Sequence, residues 1–269
     1  MTPYVPANTI KEVLSCLEAI ITEAEATNSR LGYFAALYHK VTLKVDEDIQ
    51  NRLFENPERL ELLDVLFANR YLYALHEWKI DKNSTKVSKS WKIAFESSEN
   101  SSILILQHLF LGMNAHINYD LGIAVKEAND NGCSIDELRR DYNAINNILS
   151  SLTYSVINKL NIVSPLISLI GLTGNKSNSL LVQFSLGNAR DGAWCFATDL
   201  ISKEKSESET FINQRDSEME QLGALLITNK GLLKIGVFFI HLFEWRKVNK
   251  IIGVLSSKKP YLKEIIKPS

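Results

Sequence analysis

The sequence predicts an all-α protein, a single-domain multi-helix bundle with a buried central helix near residues 101–131. Three observations support this fold class. Apolar residues recur at helical spacing along most of the chain, signals for helix starts are frequent, and strand-like alternation bounded by turn dipeptides is scarce. No helix pair repeats with a fixed period, so a solenoid is not expected.

Local signals place the predicted helices. Asn56-Pro57 is typical of an N-cap followed by the first helical residue, because proline lacks an N–H that would be unpaired there. Residues 134–137 (SIDE) have the spacing of a capping box. The predicted helices span residues 9–28, 31–44, 57–79, 88–97, 101–131, 134–160, 177–202, 210–228 and 231–253. We expect loops at 80–87, 171–177 and 203–209, and the last of these, KEKSESE, is the best candidate for a mobile loop.

Composition is that of an ordinary globular protein and limits the function classes. Of the 269 residues, 45% are apolar and 23% are charged, and no linker divides the chain, so residues 1–269 are expected to form one domain. A net charge of −1 argues against a nucleic-acid-binding protein. The three separated cysteines and an N-terminus without signal-peptide features favour a reduced, cytoplasmic location. No feature of the sequence indicates an oligomeric state.

Residues 101–122, SSILILQHLFLGMNAHINYDLG, combine an apolar helix with a polar face. His108, Gly112, His116 and Asp120 are spaced by four and therefore share one side of a helix. The glycine either leaves an open space between the imidazoles or lets a neighbouring helix approach closely. Because buried polar groups are costly unless paired, this face contacts other polar side chains or surrounds water, a metal or a ligand.

One interpretation of this face is a divalent metal site. His116 and Asp120 can point at one ion, and His108 and Asp141 are added as ligands that suit zinc, iron or manganese. Further candidate ligands on other helices are Asp64, His76 and Glu77. The HxxxD pattern has low specificity, since it often occurs by chance. The alternative is a hydrogen-bonded network in which Asp120 orients His116.

Several strings identify a family resemblance. They are QHLFLGMNAHINYDLG at 107–122, SRLGYFAALYHKVT at 29–42, FANRYLYAL at 67–75, DYNAIN at 141–146, SP at 164–165 and ARDGAW at 189–194. The chain resembles an uncharacterised, mainly bacterial family known as domain of unknown function 5995. The matches run through most of residues 5–200, and no motif of the family covers the part after about residue 205. The resemblance implies an all-α fold and no established activity.

The matching strings contain further polar and aromatic candidates. Arg190 either forms a salt bridge with Asp141 or Asp120, or it binds an anionic group in a pocket. Trp194, on the same helix face, is more typical of a core residue than of a stacking platform. The aromatic residues at 33, 34 and 38 are likewise more typical of a core face than of a ligand cage.

The leading hypothesis is an enzyme with a buried polar, metal-binding pocket for a small, partly apolar or anionic substrate. His116, Asp120 and Arg190 would be catalytic, and a metal would act as a Lewis acid or activate water or oxygen. The expected substrate contacts are Asn114, Asn118, Arg70 and Trp194. The alternatives are a non-catalytic module that binds a small ligand or a membrane surface, and a purely structural polar network.

The C-terminal segment 230–269 is basic. It contains nine Lys or Arg against two Glu, a net charge of about +7, with aromatic residues between them. One interpretation is a membrane-surface helix that anchors to anionic lipid. The alternative, which we favour, is a final helix packed on the domain with solvated lysines, because basic residues also suit helix C-termini.

Overall fold

The computed structural model describes residues 3–167, 186–228 and 232–257, and within these ranges the chain forms helices and no strands. The predicted all-α class is confirmed. The helices are α1 Ile10–Thr27, α2 Leu31–Gln50, α3 Pro57–Ile80, α4 Lys89–Ser97, α5 Ile105–Met113, α6 Leu121–Asp130, α7 Ile135–Val163, α8 Leu186–Ser202, α9 Lys205–Ile227, α10 Leu232–Phe243 and α11 Val248–Ser256. A π-helical segment, Asn114–Asp120, joins α5 directly to α6.

The central segment, defined here as residues 105–130, is the buried helix that the sequence predicts near 101–131. It is almost fully buried over residues 104–125 and contacts α2, α3, α4, α8 and α9. Its π-helical part contains an i→i+5 hydrogen bond, in which the Leu121 N–H donates to the His116 carbonyl. The wider turn rotates the following residues relative to α5, and the sequence did not predict it.

The start signals on α3 and α7 have different outcomes. The Asn56 side chain accepts a hydrogen bond from the Arg59 N–H and Pro57 is the first residue of α3, as predicted. Ser134 is the N-cap of α7, but its side chain makes no capping hydrogen bond, so the predicted capping box is wrong. Two acidic residues in the first turn of α7 still favour the helix dipole.

Three predicted boundaries are corrected. Helix α2 continues to Gln50, well beyond residue 44. The expected mobile loop at 203–209 is wrong, because α9 begins at Lys205 and an acidic residue in its first turn suits the helix dipole. The single helix expected over 231–253 is interrupted, since Glu244 accepts hydrogen bonds from the Ile105 N–H and the next residue is hydrogen bonded to α7. The loop expected at 171–177 lies outside the described residues.

Helix α10 has an exposed apolar face. Val237 and Ile240 are buried beneath it, whereas five large apolar side chains are 49–59% exposed: Ile235, Phe238, Phe239, Leu242 and Phe243. In the described ranges, α10 and the other helices are each too short or too polar to cross a bilayer.

Candidate active site in a central cavity

A cavity of about 220 Å³ lies between α2, α3, α7, α8 and the central segment. Of the described residues that line it, 20 have apolar side chains and six have polar or charged ones, namely Tyr38, Asp64, His116, Tyr142, Thr153 and Arg190. An apolar cavity of about 150 Å³ is large enough to hold benzene. The cavity is therefore large enough for a small organic molecule.

Polar atoms without hydrogen-bond partners in the described part of the chain occur where α2 and α3 face each other. They are the Tyr38 hydroxyl, the Thr42 hydroxyl and Asp64 Oδ2. Burial and the charge of Asp64 raise the pKa of Tyr38 well above its usual range although the neighbouring Thr42 hydroxyl opposes the shift, so the Tyr38 hydroxyl remains protonated. Burial, reinforced by Glu61 and Asp46, raises the pKa of Asp64 to about 7. Near neutral pH, Asp64 therefore exchanges between a carboxylate and a carboxyl group that can donate.

His116 lines the cavity and has one satisfied and one unsatisfied ring nitrogen. Nδ1 lies 3.4 Å from Asp120 Oδ2, whereas Nε2 has no hydrogen-bond partner among the described residues. The ring stacks on Phe67, with centroids 3.6 Å apart, and meets Tyr38 edge to face at 4.4 Å. Burial lowers the pKa of His116 although Asp120 opposes the shift, so the imidazole is neutral at neutral pH.

Asp120 orients this imidazole from outside the cavity. Its Oδ1 accepts from Arg70 Nε at 3.2 Å, and its Oδ2 accepts from Trp91 Nε1 at 2.7 Å. Arg70 also donates to Glu127 at 2.9 Å, which holds its guanidinium in place. A carboxylate that faces donors favours a proton on His116 Nδ1, and this tautomer leaves Nε2 as a hydrogen-bond acceptor.

Arg190 lines the cavity from α8, beside α7. Its Nε donates to Asn146 Oδ1 at 2.8 Å, its Nη2 donates to the Tyr142 carbonyl at 2.5 Å, and its guanidinium lies 4.1 Å from the Tyr142 ring centroid. The salt bridge considered with Asp141 or Asp120 does not form, because other arginines pair with both carboxylates. Burial lowers the pKa of Arg190, which nevertheless stays charged at neutral pH.

His108 lies in a different environment from His116. Its ring packs edge to face against Tyr33, 5.8 Å away, and burial together with the charge of Arg30 lowers its pKa to about 3. Gly112, between the two histidines, lets helix α2 approach closely, since a Cβ there would lie 2.5 Å from ring atoms of Phe34. That alternative for the glycine is confirmed, and the open space between the imidazoles is not found.

Asp141 binds the start of α3. Its Oδ1 accepts from the Glu55 N–H at 2.7 Å, and its Oδ2 accepts from the Asn56 N–H at 3.2 Å and from Arg59 Nη2 at 3.0 Å. The same arginine donates to Glu137 at 2.9 Å. Both carboxylate oxygens of Asp141 therefore serve the packing of α3 on α7.

The four candidate metal ligands do not form one centre. Of the set His108, His116, Asp120 and Asp141, the contacts bring together His116 and Asp120 and place the other two elsewhere. No group of three or more His, Cys, Asp or Glu in residues 3–167, 186–228 and 232–257 is arranged to hold a metal ion. The π-helical segment contributes to this difference, because its wider turn breaks the common face that a spacing of four predicts.

The two asparagines expected to contact substrate connect the π-helical segment to α9. Asn114 Nδ2 donates to the Met219 carbonyl at 2.7 Å, and Asn118 Nδ2 donates to Asn114 Oδ1 at 3.0 Å. The Asn118 carbonyl accepts from Arg215 Nε at 2.9 Å. Neither asparagine lines the cavity, so both act by holding the segment that carries His116.

Trp194 packs as a core residue. Its ring centroid lies 4.7 Å from that of Tyr142, and the Arg139 guanidinium lies 5.5 Å from the Trp194 ring centroid. The ring is buried and lies outside the cavity lining. Its packing supports the core interpretation.

Two polar residues on the inner side of α2 were missed by sequence reasoning, and of the two Tyr38 lines the cavity whereas Thr42 does not. Tyr38 was assigned to a core aromatic face, and Thr42 was not singled out. Their spacing of four, a hydroxyl pair on the inner side of α2, is the signal that could have indicated a polar patch. Asp64, considered only as an additional metal ligand, lines the cavity instead.

The comparisons with known proteins give one match. The model of a family described as "Family of unknown function (DUF5995)" matches residues 10–229. This range extends beyond the matching strings and includes α9. Neither a curated protein nor a solved structure shows significant similarity to the chain.

Proposed function

We propose that this chain, which belongs to the family of unknown function DUF5995, binds a small and largely apolar molecule in the central cavity. One observation carries the proposal: the apolar cavity is lined by Tyr38, Asp64 and His116, and each of these residues has a buried polar atom without a partner among the described residues. Each such buried group costs roughly 1–3 kcal/mol. A ligand with one polar group and an apolar body would recover part of that cost.

The size and shape of the cavity restrict the ligand. Scaling from benzene in about 150 Å³, a cavity of about 220 Å³ holds roughly nine non-hydrogen atoms. The lining residues on α7 extend from Tyr142 to Leu160, about 27 Å along the helix axis at 1.5 Å per residue. An elongated cavity of this volume holds an unbranched chain of eight to ten atoms more readily than a compact ring system, and such a chain covers less than half of the lining length.

His116 acts on the polar group of the ligand. Its neutral imidazole presents Nε2 as a hydrogen-bond acceptor, and with a ligand that has an acidic proton it acts as a general base. Asp120 holds the Nδ1 proton and stabilises the imidazolium that proton transfer would produce. The protein is then an enzyme if the bound molecule reacts after losing this proton, and a binding protein if it does not.

Calorimetric titration with 1-octanol tests the binding step. We expect saturable binding at one site, loss of binding in Leu149→Trp, and unchanged binding in Ser150→Trp. Leu149 lines the cavity, whereas Ser150 is its exposed neighbour on α7, so the second variant controls for the added indole. No binding by the natural chain, or equal binding by both variants, would contradict the proposal.

Nitrogen NMR of the His116 imidazole tests its role. We expect a neutral ring with the proton on Nδ1 at pH 7, and a shift of the Nε2 resonance when 1-octanol is added. Asp120→Asn should redistribute the proton between the two nitrogens, since the carboxylate that favours Nδ1–H is lost. An imidazolium at pH 7, or an Nε2 resonance that ignores the ligand, would remove His116 from the mechanism.

A second candidate function is attachment to an anionic lipid surface through α10, favoured by its exposed apolar face. The apolar side chains at 235, 238, 239, 242 and 243 follow helical spacing and form a continuous stripe. Lys234, Arg246, Lys247 and Lys250 adjoin the stripe, and the one acidic residue of 232–257 is buried. Exposed cations beside an apolar face complement anionic headgroups. The free state of all three cysteines supports a reduced, cytoplasmic location for this membrane face.

Vesicle flotation tests this attachment. We expect the natural chain to float with phosphatidylserine-containing vesicles, and Phe238→Ser/Phe239→Ser to remain in solution. Leu53→Ser, which removes an exposed apolar residue elsewhere, should still float. Failure of the natural chain to float would contradict the attachment. So would a dimer in solution that the double variant converts to a monomer, because a second copy would then cover the stripe.

A further inference from the structure

Arg190 is a buried cation whose described partners are nearly all neutral. Its two hydrogen bonds go to an amide oxygen and a backbone carbonyl, and its guanidinium lies over the Tyr142 ring. The nearest acidic influence is the exposed neighbour Asp191, which forms no ion pair with it among the described residues. Arg190 Nη1 has no hydrogen bond in the described part of the chain, and the residue lines the cavity.

The other strongly buried arginine shows how unusual this is. Arg59 pairs with two carboxylates, Glu137 and Asp141, which offset the loss of its hydration. Among the described residues, Arg190 has only dipoles and a ring face in place of water. A buried charge without a counter-charge costs several kcal/mol, and an anion bound at Arg190 would offset part of that cost.

We propose that the ligand of the central cavity is a carboxylate with an unbranched apolar chain, and that Arg190 binds its carboxylate group. This inference rests on the proposed function and specifies its ligand class; an ionised carboxylate cannot donate to His116 Nε2, so Arg190 and not His116 receives the charged group. The carboxylate accepts from Arg190 Nη1 at the Tyr142 end of the cavity. The chain then lies along the apolar side chains of α7, such as Ile145 and Leu149.

A comparison of octanoate with 1-octanol on the natural chain tests this ligand class. The two molecules have the same chain length and differ in the head group. At pH 6.5 octanoate is ionised, whereas more than half of Asp64, whose pKa is about 7, is protonated and does not repel it. We expect octanoate to bind at least about tenfold more tightly than octanol by calorimetry, since hydrogen bonds to charged groups are the stronger ones. Octylammonium should bind more weakly than octanol.

Two variants test whether Arg190 causes the preference for octanoate over octanol. Arg190→Gln should abolish the octanoate-to-octanol preference and change octanol affinity less than about threefold. Arg140→Gln, which removes an exposed guanidinium from α7, should keep the full preference. A purely structural role for Arg190 would weaken both ligands alike and leave their ratio unchanged.

The outcomes separate this inference from the function on which it rests. If octanol binds as tightly as octanoate, or if the preference for octanoate survives Arg190→Gln, the proposal that Arg190 binds a carboxylate is wrong. The proposal that the cavity binds an apolar ligand is not affected by either result. Binding of neither ligand to the natural chain overturns both. If Arg190→Gln does not fold, the order octanoate, octanol, octylammonium on the natural chain still decides the sign of the charge at this position.

Discussion

Two polar regions lie between α3 and its neighbours, and they differ in how their polar groups are paired. The Asp141 cluster consists of Asp141, Arg59 and Glu137, and the polar wall of the cavity consists of Tyr38, Asp64 and His116. At the Asp141 cluster, both carboxylate oxygens accept hydrogen bonds, from the N–H groups of residues 55 and 56 and from Arg59. At the cavity wall, Asp64 Oδ2, the Tyr38 hydroxyl and His116 Nε2 have no partners among the described residues.

The difference separates a structural role from a functional one. A cluster whose carboxylates are paired fixes the packing of helices and offers little to a ligand, although Arg59 Nε in this cluster has no partner among the described residues. An unpaired cluster beside a cavity weakens the fold, and such groups persist where a ligand supplies the missing partners. The comparison makes opposite predictions for substitutions in the two regions: removing Asp141 should destabilise the protein, and neutralising Asp64 should stabilise it.

The largest effect is expected from Asp141→Ala. The substitution leaves Arg59 buried without one of its two carboxylates and removes the acceptor of two backbone N–H groups. We expect the free energy of unfolding to fall by about 3–5 kcal/mol. Chemical denaturation followed by circular dichroism measures it. A loss below about 1 kcal/mol would show that the pairing of Asp141 contributes little to the fold.

Asp64→Asn should have the opposite sign, with a defined pH dependence. The folded pKa of about 7 lies above the unfolded value of 3.8, so the folded chain binds more protons between these values. The stability of the natural chain relative to the variant therefore falls as pH rises through this window. Above pH 7 the variant should be more stable by about 2–4 kcal/mol, and near pH 4 the two should coincide. Equal unfolding curves at pH 8 would contradict the burial of an ionised Asp64.

Arg190→Gln should have a smaller effect on stability than Asp141→Ala, although both side chains are buried. The substitution leaves the Asn146 amide oxygen and the Tyr142 carbonyl without donors, and it also removes a charge that lacks a counter-ion. These contributions oppose each other, so we expect a loss of about 1–2 kcal/mol. If Arg190→Gln lost as much unfolding free energy as Asp141→Ala, Arg190 would serve mainly to stabilise the fold. That result would argue against its binding of a ligand.

Helical periodicity and helix-start signals are local, and they predicted the fold class, the buried central helix and the Asn56-Pro57 start. The predictions that were wrong concern features that depend on contacts between residues distant in the sequence. The helix that follows Leu232 ends where Glu244 accepts hydrogen bonds from α5, and residues 205–209 form the first turn of α9, a helix that packs against α4. A spacing of four also assumes an α-helix, so it could not anticipate the π-helical turn that separates His108 from Asp120.

The site was predicted in part for the same reason. His116 and Asp120 were identifiable because polar residues in an apolar helix are conspicuous in any sequence. Whether a polar atom has a partner is a property of the folded chain, so the sequence could not show that Asp141 is satisfied and Asp64 is not. Tyr38 illustrates the limit, since a tyrosine on a buried face is typical of a core until its hydroxyl is found without a partner.

The smallest change in unfolding free energy is expected from Arg140→Gln. This variant tests whether the burial of a charged pair, and not the pairing alone, decides how much the pair stabilises the fold. Arg140 lies on α7 one residue before Asp141 and pairs with Glu55 at 3.2 Å, but its side chain is 77% exposed. Water and salt screen such a pair, so we expect a change in unfolding free energy below about 0.5 kcal/mol. Adding 0.5 M sodium chloride should make even this difference disappear, while the loss in Asp141→Ala should persist, because buried pairs are screened far less. A larger loss of unfolding free energy in Arg140→Gln would mean that exposed charges also stabilise the Asp141 cluster. The difference between Asp141 and Asp64 would then depend on the number of charges near α3 and not on the burial of each charge.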